Sequence, residues 1–314
     1  MPALELSKLA QQLAPVFGEL PAAIVILDKD SRASYFHGDG VHGNSLFEIG
    51  SVSKPLFALL ASQLVMDEIW SLEAPLSEVL GKDFEHHNYS LKQLLTHRSG
   101  LPRLPKNLFP QSIDDPYASF DTKAMTQALM MPIGHKGNYV YSNFGYGVLG
   151  WQMAKELGVT QLAMMQKHVF NKLRMAHATL SLTGEVVHKL QGHDHFGDPV
   201  SNWHFDSLVG AGGVLASAAD MANWISAYWK KEDVDIKTKS ILKASLTSLS
   251  DDMVYGFSKG QNGRYFHDGK TAGFSAMVVF DPIQQLGVIV LVGGERNTNN
   301  IAMSLFSQLE EKEK

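Results

Sequence analysis

The sequence contains no cysteine, and this absence removes several kinds of chemistry at once. Disulfides, thiolate nucleophiles and zinc sites built on cysteine are all excluded in this chain of 314 residues. The chain also lacks a dense run of lysine and arginine, and its formal net charge is -5. Nucleic acid is therefore not an expected partner. No stretch approaches ~18 consecutive apolar residues, so no membrane span is expected.

The N-terminus lacks the features of an export signal. No basic region followed by an apolar run is visible, so the sequence as written predicts a cytoplasmic protein. A trimmed chain would look the same, which leaves a periplasmic location open. The chain is 45% hydrophobic and 19% charged, which suits one large globular unit or two interleaved units with an ample core.

Strand-like segments lie near both ends of the chain, and helical patterns fill the middle. Apolar residues at intervals of three and four predict an amphipathic helix over residues 4–19. Short β-rich runs bounded by turn residues predict strands at 22–27, 33–37, 253–258, 264–267, 275–280 and 287–292. The further predicted helices are 53–68, 74–80, 90–96, 121–131, 143–157, 159–172, 215–231 and 299–312.

This order of elements predicts an α/β fold of the α+β type. The turns between the C-terminal strands are short, so these strands should be antiparallel neighbours in a central sheet flanked by the N- and C-terminal helices. We expect a discontinuous α/β domain formed by residues 1–60 and 206–314. A mostly helical domain, residues 61–205, is expected to be inserted into it.

The first polar signature is a serine and a lysine three positions apart, where a strand-like run gives way to an apolar helix. If Ser51 opens that helix, Lys54 lies on the same face and its ammonium can sit beside the hydroxyl. A hydroxyl becomes a good nucleophile only when a base takes its proton, and a lysine can act as that base when its pKa is lowered. The spacing alone is weak evidence, and Ser51 could equally be a helix N-cap.

Two further signatures follow later in the chain. Tyr141 and Asn143 lie two apart where a loop enters a helix, so a phenol and an amide could face one cavity; a structural tyrosine beside an N-cap is the alternative. The segment from His267 to Phe274 follows a short strand and contains small residues that would let a substrate approach the backbone. A glycine-rich β-bulge with solvated charges is the alternative there.

Two other patterns suggest chemistry but are better explained structurally. Residues 145–150 match the G-x-G-x-x-G pattern of dinucleotide sites, but no buried strand precedes them, so these glycines are expected to allow close helix packing. The histidines of the 188–204 region could suggest zinc, which needs three or four convergent ligands. These histidines are His188, His193, His195 and His204. We expect no metal site.

The three signatures, in this order, resemble those of the β-lactamase-like serine hydrolases. This superfamily joins β-lactamases, penicillin-binding DD-peptidases and family VIII carboxylesterases. Its S-x-x-K, Y-x-N and K/H-x-G motifs match Ser51 with Lys54, Tyr141 with Asn143, and His267 with Gly269. The tyrosine motif points to the class C branch. Connecting segments at 46–54, 94–101, 210–220 and 267–288 also resemble the family, so the likeness spans roughly residues 20 to 310.

The resemblance implies a covalent acyl-enzyme mechanism without a cofactor. Ser51 would be the nucleophile, and Lys54 with Tyr141 the general-base pair. Asn143 would orient Lys54 and the substrate, and His267 and Gly269 would belong to the substrate-binding strand. The backbone N–H groups of Ser51 and Lys270 would form the oxyanion hole. The expected partner is a small-molecule ester, amide or β-lactam, and the oligomeric state is left open.

The strand motif departs from the β-lactamase pattern at its second position. Family members usually bind the substrate carboxylate of a β-lactam or D-Ala terminus with Lys-Thr-Gly or His-Thr-Gly, but Asp268 is an acid and would repel it. His267 is mostly neutral at pH 7, and only Lys270 could compensate. This favours a carboxylesterase-type activity on small esters. The alternatives are a β-lactamase or D-amino-acid-specific peptidase using the same residues, and a catalytically idle homologue that binds a ligand.

Overall fold

The computed structural model describes residue 8 and residues 11–184, 189–230 and 234–313. The strands are β1 (Ala22–Asp28), β2 (Ser31–His37), β3 (Leu46–Glu48), β4 (Thr179–Leu180), β5 (Gly192–His193), β6 (Pro199–Val200), β7 (Val214–Ser217), β8 (Ser258–Lys259), β9 (Tyr265–Lys270), β10 (Ser275–Asp281) and β11 (Leu286–Val292). The α-helices are α1 (Ala14–Phe17), α2 (Ser53–Met66), α3 (Ser77–Leu80), α4 (Leu91–Leu95), α5 (Thr122–Leu129), α6 (Asn143–Glu156), α7 (Gln161–Met165), α8 (Ala218–Ser226), α9 (Ile236–Ser245) and α10 (Thr298–Glu313).

A six-stranded antiparallel sheet forms the centre of the molecule, as predicted. Its strand order is β2-β1-β11-β10-β9-β8, so the two ends of the chain meet where β1 pairs with β11. Every residue of β1, β10 and β11 is buried, because helices cover both faces of the sheet. Alternate residues of β1 enter two different cores: Ala23 and Val25 face one, while Ile24 and Ile26 face the other.

The two cores differ in what covers the sheet. The smaller core lies under α10, whose predicted apolar face is confirmed. The buried residues of that face are Ile301, Ala302, Leu305, Phe306 and Leu309. The larger core lies on the opposite face and includes α2, α6 and α8. The division into residues 1–60 with 206–314 against 61–205 stays a prediction.

Several predicted elements differ from those in the structure. The helix predicted from residue 215 begins at Ala218, because Val214–Ser217 pairs with β3 and Ser217 then caps the helix in a capping box with Asp220. The strand predicted at 253–258 is wrong over most of its length, since Gly256 adopts a positive φ of 79° and only the Met253–Ser258 bridge and β8 remain. Helix α9 was not predicted.

Two predicted helices are only partly confirmed. Of the helix predicted over 4–19, α1 and the helical positions 8 and 11 are seen, whereas residues 4–7, 9 and 10 lie outside the described residues. The helix predicted over 159–172 is α7 followed by a π-helical turn at Gln166–Phe170. Among the described residues, no helix combines the length and apolarity needed to cross a membrane.

Candidate active site

Ser51 lies in a tight turn between β3 and α2. The turn is a single 3-10 segment, Gly50–Val52, and α2 begins immediately after it, so Ser51 lies two residues before the helix rather than opening it. Gly50 has a φ of 50°, and a methyl group there would lie 2.7 Å from the Lys270 main-chain nitrogen. Gly269 is closer still to the turn, because a methyl group on it would lie 2.1 Å from the Ile49 carbonyl oxygen. The glycines therefore let β9 approach the serine.

Lys54 is the second residue of α2 and is completely buried beside the serine. Its Nζ lies 2.9 Å from Ser51 Oγ, 2.9 Å from Asn143 Oδ1 and 2.5 Å from the Ala211 carbonyl oxygen. Burial lowers the pKa of Lys54 well below its usual value, and the Arg103 guanidinium lowers it further. Asp268 acts in the opposite direction and raises this pKa. The net result favours a neutral amine.

An ammonium at Lys54 would donate to all three neighbours, and the same arrangement also serves a neutral amine. An –NH₂ group has two hydrogens to donate and one lone pair to accept with. Asn143 Oδ1 and the Ala211 carbonyl oxygen can only accept, so they take both hydrogens. The lone pair of Lys54 is then left facing the Ser51 hydroxyl, in position to accept its proton.

Tyr141 completes this group as a neutral phenol. Its hydroxyl interacts with Ser51, which lowers the pKa of the phenol, and its ring centroid lies 4.9 Å from Lys54 Nζ. Burial raises the pKa of the Tyr141 phenol above its ordinary value, which disfavours the phenolate. Tyr141 is thus suited to passing a proton on rather than to holding a negative charge.

His97 positions the tyrosine segment. Its Nδ1 accepts a hydrogen bond from the Ser142 main-chain N–H at 3.0 Å, and its carbonyl oxygen accepts one from Val140 at 2.8 Å. The imidazole packs against the Tyr141 ring with centroids 4.4 Å apart. Burial lowers the pKa of His97 to about 2, so the ring stays neutral and keeps its acceptor nitrogen. The sequence predicted no separate role for His97, which lies within the connecting segment 94–101.

Helix α6 brings Asn143 to the lysine. Ser142 caps the helix by accepting from the Gly145 N–H, and the Arg103 carbonyl oxygen accepts from Asn143 at 2.9 Å. The glycines of the G-x-G-x-x-G pattern allow close packing, as predicted. A methyl group on Gly147 would meet the Leu208 side chain at 2.4 Å, in the 3-10 segment Asp206–Ala211 that also delivers the Ala211 carbonyl oxygen to Lys54.

Strand β9 presents its four motif residues on two faces. His267 is buried, donates from Nδ1 to the Asp268 carbonyl oxygen at 2.6 Å, and has its pKa lowered to about 4 by burial and by Lys54. Asp268 and Lys270 share the opposite face and are exposed. Lys270 Nζ bonds to Glu295 Oε1 at 2.9 Å, so its charge is already paired.

These residues line one cleft with a volume of about 470 Å³. The predicted residues Ser51, Tyr141, Asn143, Gly269 and Lys270 all line it, whereas Lys54 and His267 are buried beneath. Sequence reasoning missed four further lining residues: Arg103, Tyr117, Trp203 and Thr271. The first three lie in loops distant in sequence, where single residues carry no periodic or motif signal; Thr271 directly follows the strand motif and could have been included.

The histidines considered for zinc have separate partners. His204 Nδ1 bonds to Asp115 Oδ2 at 2.6 Å, and His193 Nδ1 bonds to the Gly293 carbonyl oxygen at 2.9 Å. His188 lies outside the described residues. In the part of the chain that the structure describes, no three His, Asp or Glu side chains are arranged to hold a metal ion.

Comparison with known proteins relates this chain to one family. A family model described as Beta-lactamase matches residues 16–304. An unguisins hydrolase, ungD, from Aspergillus violaceofuscus is 22% identical over 342 residues, covering 88% of this chain and 59% of that protein. A beta-lactamase from Pseudomonas fluorescens is 27% identical over 283 residues, covering 88% and 70%. A solved class C beta-lactamase superposes with a TM-score of 0.81 at 22% identity, covering 97% and 95%, which confirms the fold.

Proposed function

The chain belongs to the beta-lactamase family, and from this premise we propose that it is a carboxylesterase that hydrolyses small esters through an acyl-enzyme on Ser51. The family makes it a serine hydrolase; the nucleophile, the roles of its neighbours and the ester substrate are the proposal. The main support for this proposal is the hydrogen-bond arrangement around Lys54. Both N–H groups of a neutral amine are occupied by acceptors, and the lone pair faces Ser51 Oγ at 2.9 Å.

Acylation begins when the Lys54 amine takes the Ser51 hydroxyl proton. The Ser51 oxygen forms a bond to the carbonyl carbon, and the carbonyl electron pair moves to its oxygen. The main-chain N–H groups of Ser51 and Lys270 stabilise that negative charge, since the two nitrogens belong to segments held together by Gly50 and Gly269. Asn143 keeps the Lys54 amine oriented throughout.

Collapse of the tetrahedral intermediate breaks the bond to the alcohol. The alkoxide receives a proton through the Tyr141 phenol, which is replenished from the Lys54 ammonium nearby. A water then repeats the sequence on the acyl-enzyme: its proton passes to Lys54, its oxygen bonds to the acyl carbon, and Ser51 leaves with a proton. The acid product is released and Lys54 is neutral again.

The charge on β9 favours esters over β-lactams. A β-lactam carries a carboxylate, and Asp268 is an exposed acid at the edge of the cleft. Lys270 does not offset it, because its Nζ is paired with Glu295. His267 is buried and neutral, so it adds no positive charge either. A neutral ester avoids this repulsion.

Replacing Ser51 with Ala tests the proposal. We expect turnover of p-nitrophenyl butyrate to fall at least about a thousandfold, because the nucleophile is gone. The matched control is Ser62→Ala, which removes a buried hydroxyl without a hydrogen-bond partner in the described chain from the same helix region. Intact-mass spectrometry should show a fluorophosphonate adduct on the wild type but not on Ser51→Ala. Retained turnover in Ser51→Ala, or a wild type that no probe labels, would contradict the proposal.

Cleavage of a β-lactam is the second candidate, and the name of the Pseudomonas fluorescens relative supports it. Nitrocefin distinguishes the two candidates, since the same acyl-enzyme chemistry would open its ring. Hydrolysis of nitrocefin with a kcat/KM comparable to that of p-nitrophenyl butyrate would favour the β-lactamase. A rate far below it, with Ser51 still labelled by the fluorophosphonate, would favour the esterase.

A further inference from the structure

Asp268 carries an unpaired negative charge at the edge of the cleft. Among the residues that the structure describes, no side chain forms an ion pair or hydrogen bond with its carboxylate, whereas the neighbouring Lys270 is paired with Glu295. The side chain of Arg296, also close by, is engaged by the Val16 and Phe17 carbonyl oxygens. Asp268 is therefore an unpaired acid at this edge of the cleft, while the Arg103 guanidinium, which lines the same cleft, lies against the Tyr141 ring.

Asp268 lies at the edge of the cleft, beside the residues assigned to the reaction. Gly269, the next residue, touches the Ser51 turn, and the Lys270 N–H assigned to the oxyanion follows it. Asp268 lies opposite Met277 on β10, so its side chain leaves β9 on the α10 side, at the rim of the cleft. Its charge raises the pKa of both Lys54 and Tyr141, although burial has the larger effect on each.

Aromatic side chains line the same cleft. Trp203 and Tyr117 are in edge-to-face contact with ring centroids 5.2 Å apart, and Tyr117 stacks on Phe205. The Trp203 main-chain N–H donates to buried Glu48 at 3.0 Å, which holds this residue in place. Aromatic faces together with a carboxylate are the chemistry that recognises quaternary and primary ammonium groups.

We propose that Asp268 makes the enzyme selective for esters that carry a cationic ammonium group. This inference rests on the proposed esterase function of Ser51 and adds the class of substrate. The ammonium group would lie at the rim of the cleft beside Asp268 while the ester carbonyl occupies the site of Ser51. An anionic group at the same place would be repelled, and a neutral isostere would bind without electrostatic gain.

The test compares matched ester pairs that differ only in charge. In the first pair, the ester acetylcholine is compared with its carbon isostere, in which a tert-butyl group replaces trimethylammonium. In the second pair, the same exchange is made at the end of a four-carbon acyl chain in a p-nitrophenyl ester. Since trimethylammonium stays charged at every pH, the cation/isostere ratio of kcat/KM reports charge recognition alone, and the two pairs tell whether the cation belongs to the alcohol or to the acid.

We expect wild-type enzyme to prefer the cation in at least one pair, and Asp268→Asn to reduce that ratio by about tenfold, equivalent to about 1.4 kcal/mol. Asp268→Glu should retain most of the preference. Asp39→Asn is the control, because it removes one exposed carboxylate that does not line the cleft. Suppose that the neutral esters are hydrolysed and that the cation/isostere ratio of kcat/KM is the same in wild type and Asp268→Asn for both pairs. That result would overturn the inference. Loss of all ester hydrolysis in the wild type would instead refute the proposed function.

Discussion

At the scale of single residues, the protonation of Lys54 is set by its burial and adjusted by two opposing charges. Arg103, whose guanidinium lies 5.2 Å from the Tyr141 ring centroid, lowers the pKa of Lys54, while Asp268 raises it. Burial has a larger effect than either and lowers the same pKa. Because the proposed base must be deprotonated, activity should rise with pH as Lys54 loses its proton.

Replacing Arg103 with Gln is predicted to move the acid limb of the kcat/KM–pH profile to higher pH. Loss of the positive charge stabilises the Lys54 ammonium, so the pKa of Lys54 rises. A higher pH is then needed to deprotonate it. Asp268→Asn should move the limb in the opposite direction. The profiles are measured with a neutral p-nitrophenyl ester, and Lys106→Gln serves as control because it removes a cation outside the cleft on the same loop. Limbs that coincide in all variants would show that Lys54 is not the titrating base.

The contact between Ser51 and Lys54 was predictable because three-residue spacing places both side chains on one face even of a tight turn. Arg103 was not predictable in the same way. It reaches the site only through the path of the loop that carries it, and its carbonyl oxygen meets the start of α6 across 40 residues of sequence, from 103 to 143. Residues contributed by loops depend on tertiary packing that no local pattern records.

At the scale of elements, the approach of β9 to the Ser51 turn depends on Gly269. A methyl group there would lie 2.1 Å from the Ile49 carbonyl oxygen and 2.9 Å from the Ser51 nitrogen, so the strand would have to move. Gly269→Ala is predicted to lower kcat about 100-fold, comparable to losing one oxyanion donor, because the Lys270 N–H moves with the strand. Single-turnover acylation by p-nitrophenyl butyrate measures this loss.

Gly43→Ala is the matched control for that substitution. Its added methyl group would meet only the Phe36 ring at 3.7 Å, an ordinary contact, and its φ is not in the left-handed region. Its kcat should remain close to wild type. Circular dichroism and the thermal midpoint show whether Gly269→Ala is folded, and a folded variant with unchanged kcat would mean that β9 does not supply the oxyanion donor.

The elements themselves were predictable where one pattern was long and unopposed. The buried runs of β1, β10 and β11 and the apolar face of α10 have this property. Residues 214–217 do not, because their apolar character suits both a helix and a buried strand, and pairing with β3 decides for the strand. Helix α9 depends on the Asp235 cap and on burial of a few apolar residues among lysines, so its local pattern is weak.

At the scale of the whole molecule, the central sheet separates the Ser51–Lys54–Tyr141 group from α10. The Ser51 turn, α2 and α6 pack on the larger core, whereas α10 covers the smaller core on the other face. Both cores share the same strands, which join the two ends of the chain through the β1–β11 pairing. Damage to the α10 side should therefore cost stability before it alters the geometry of the cleft.

Phe306→Ala separates these two effects. Phe306 is completely buried, and the Arg264 guanidinium lies 5.2 Å from its ring centroid while also pairing with Glu310. Removing the ring should lower the free energy of unfolding by about 3–5 kcal/mol, as expected for a buried phenylalanine.

Ile283→Ala is the control, since that side chain is 84% exposed and its removal should cost little stability. Denaturant unfolding measures the loss, and kcat for p-nitrophenyl butyrate below the transition should stay near wild type because the Ser51–Lys54–Tyr141 group lies across the sheet. A fall in kcat matching the fall in stability would show instead that α10 helps to shape the cleft.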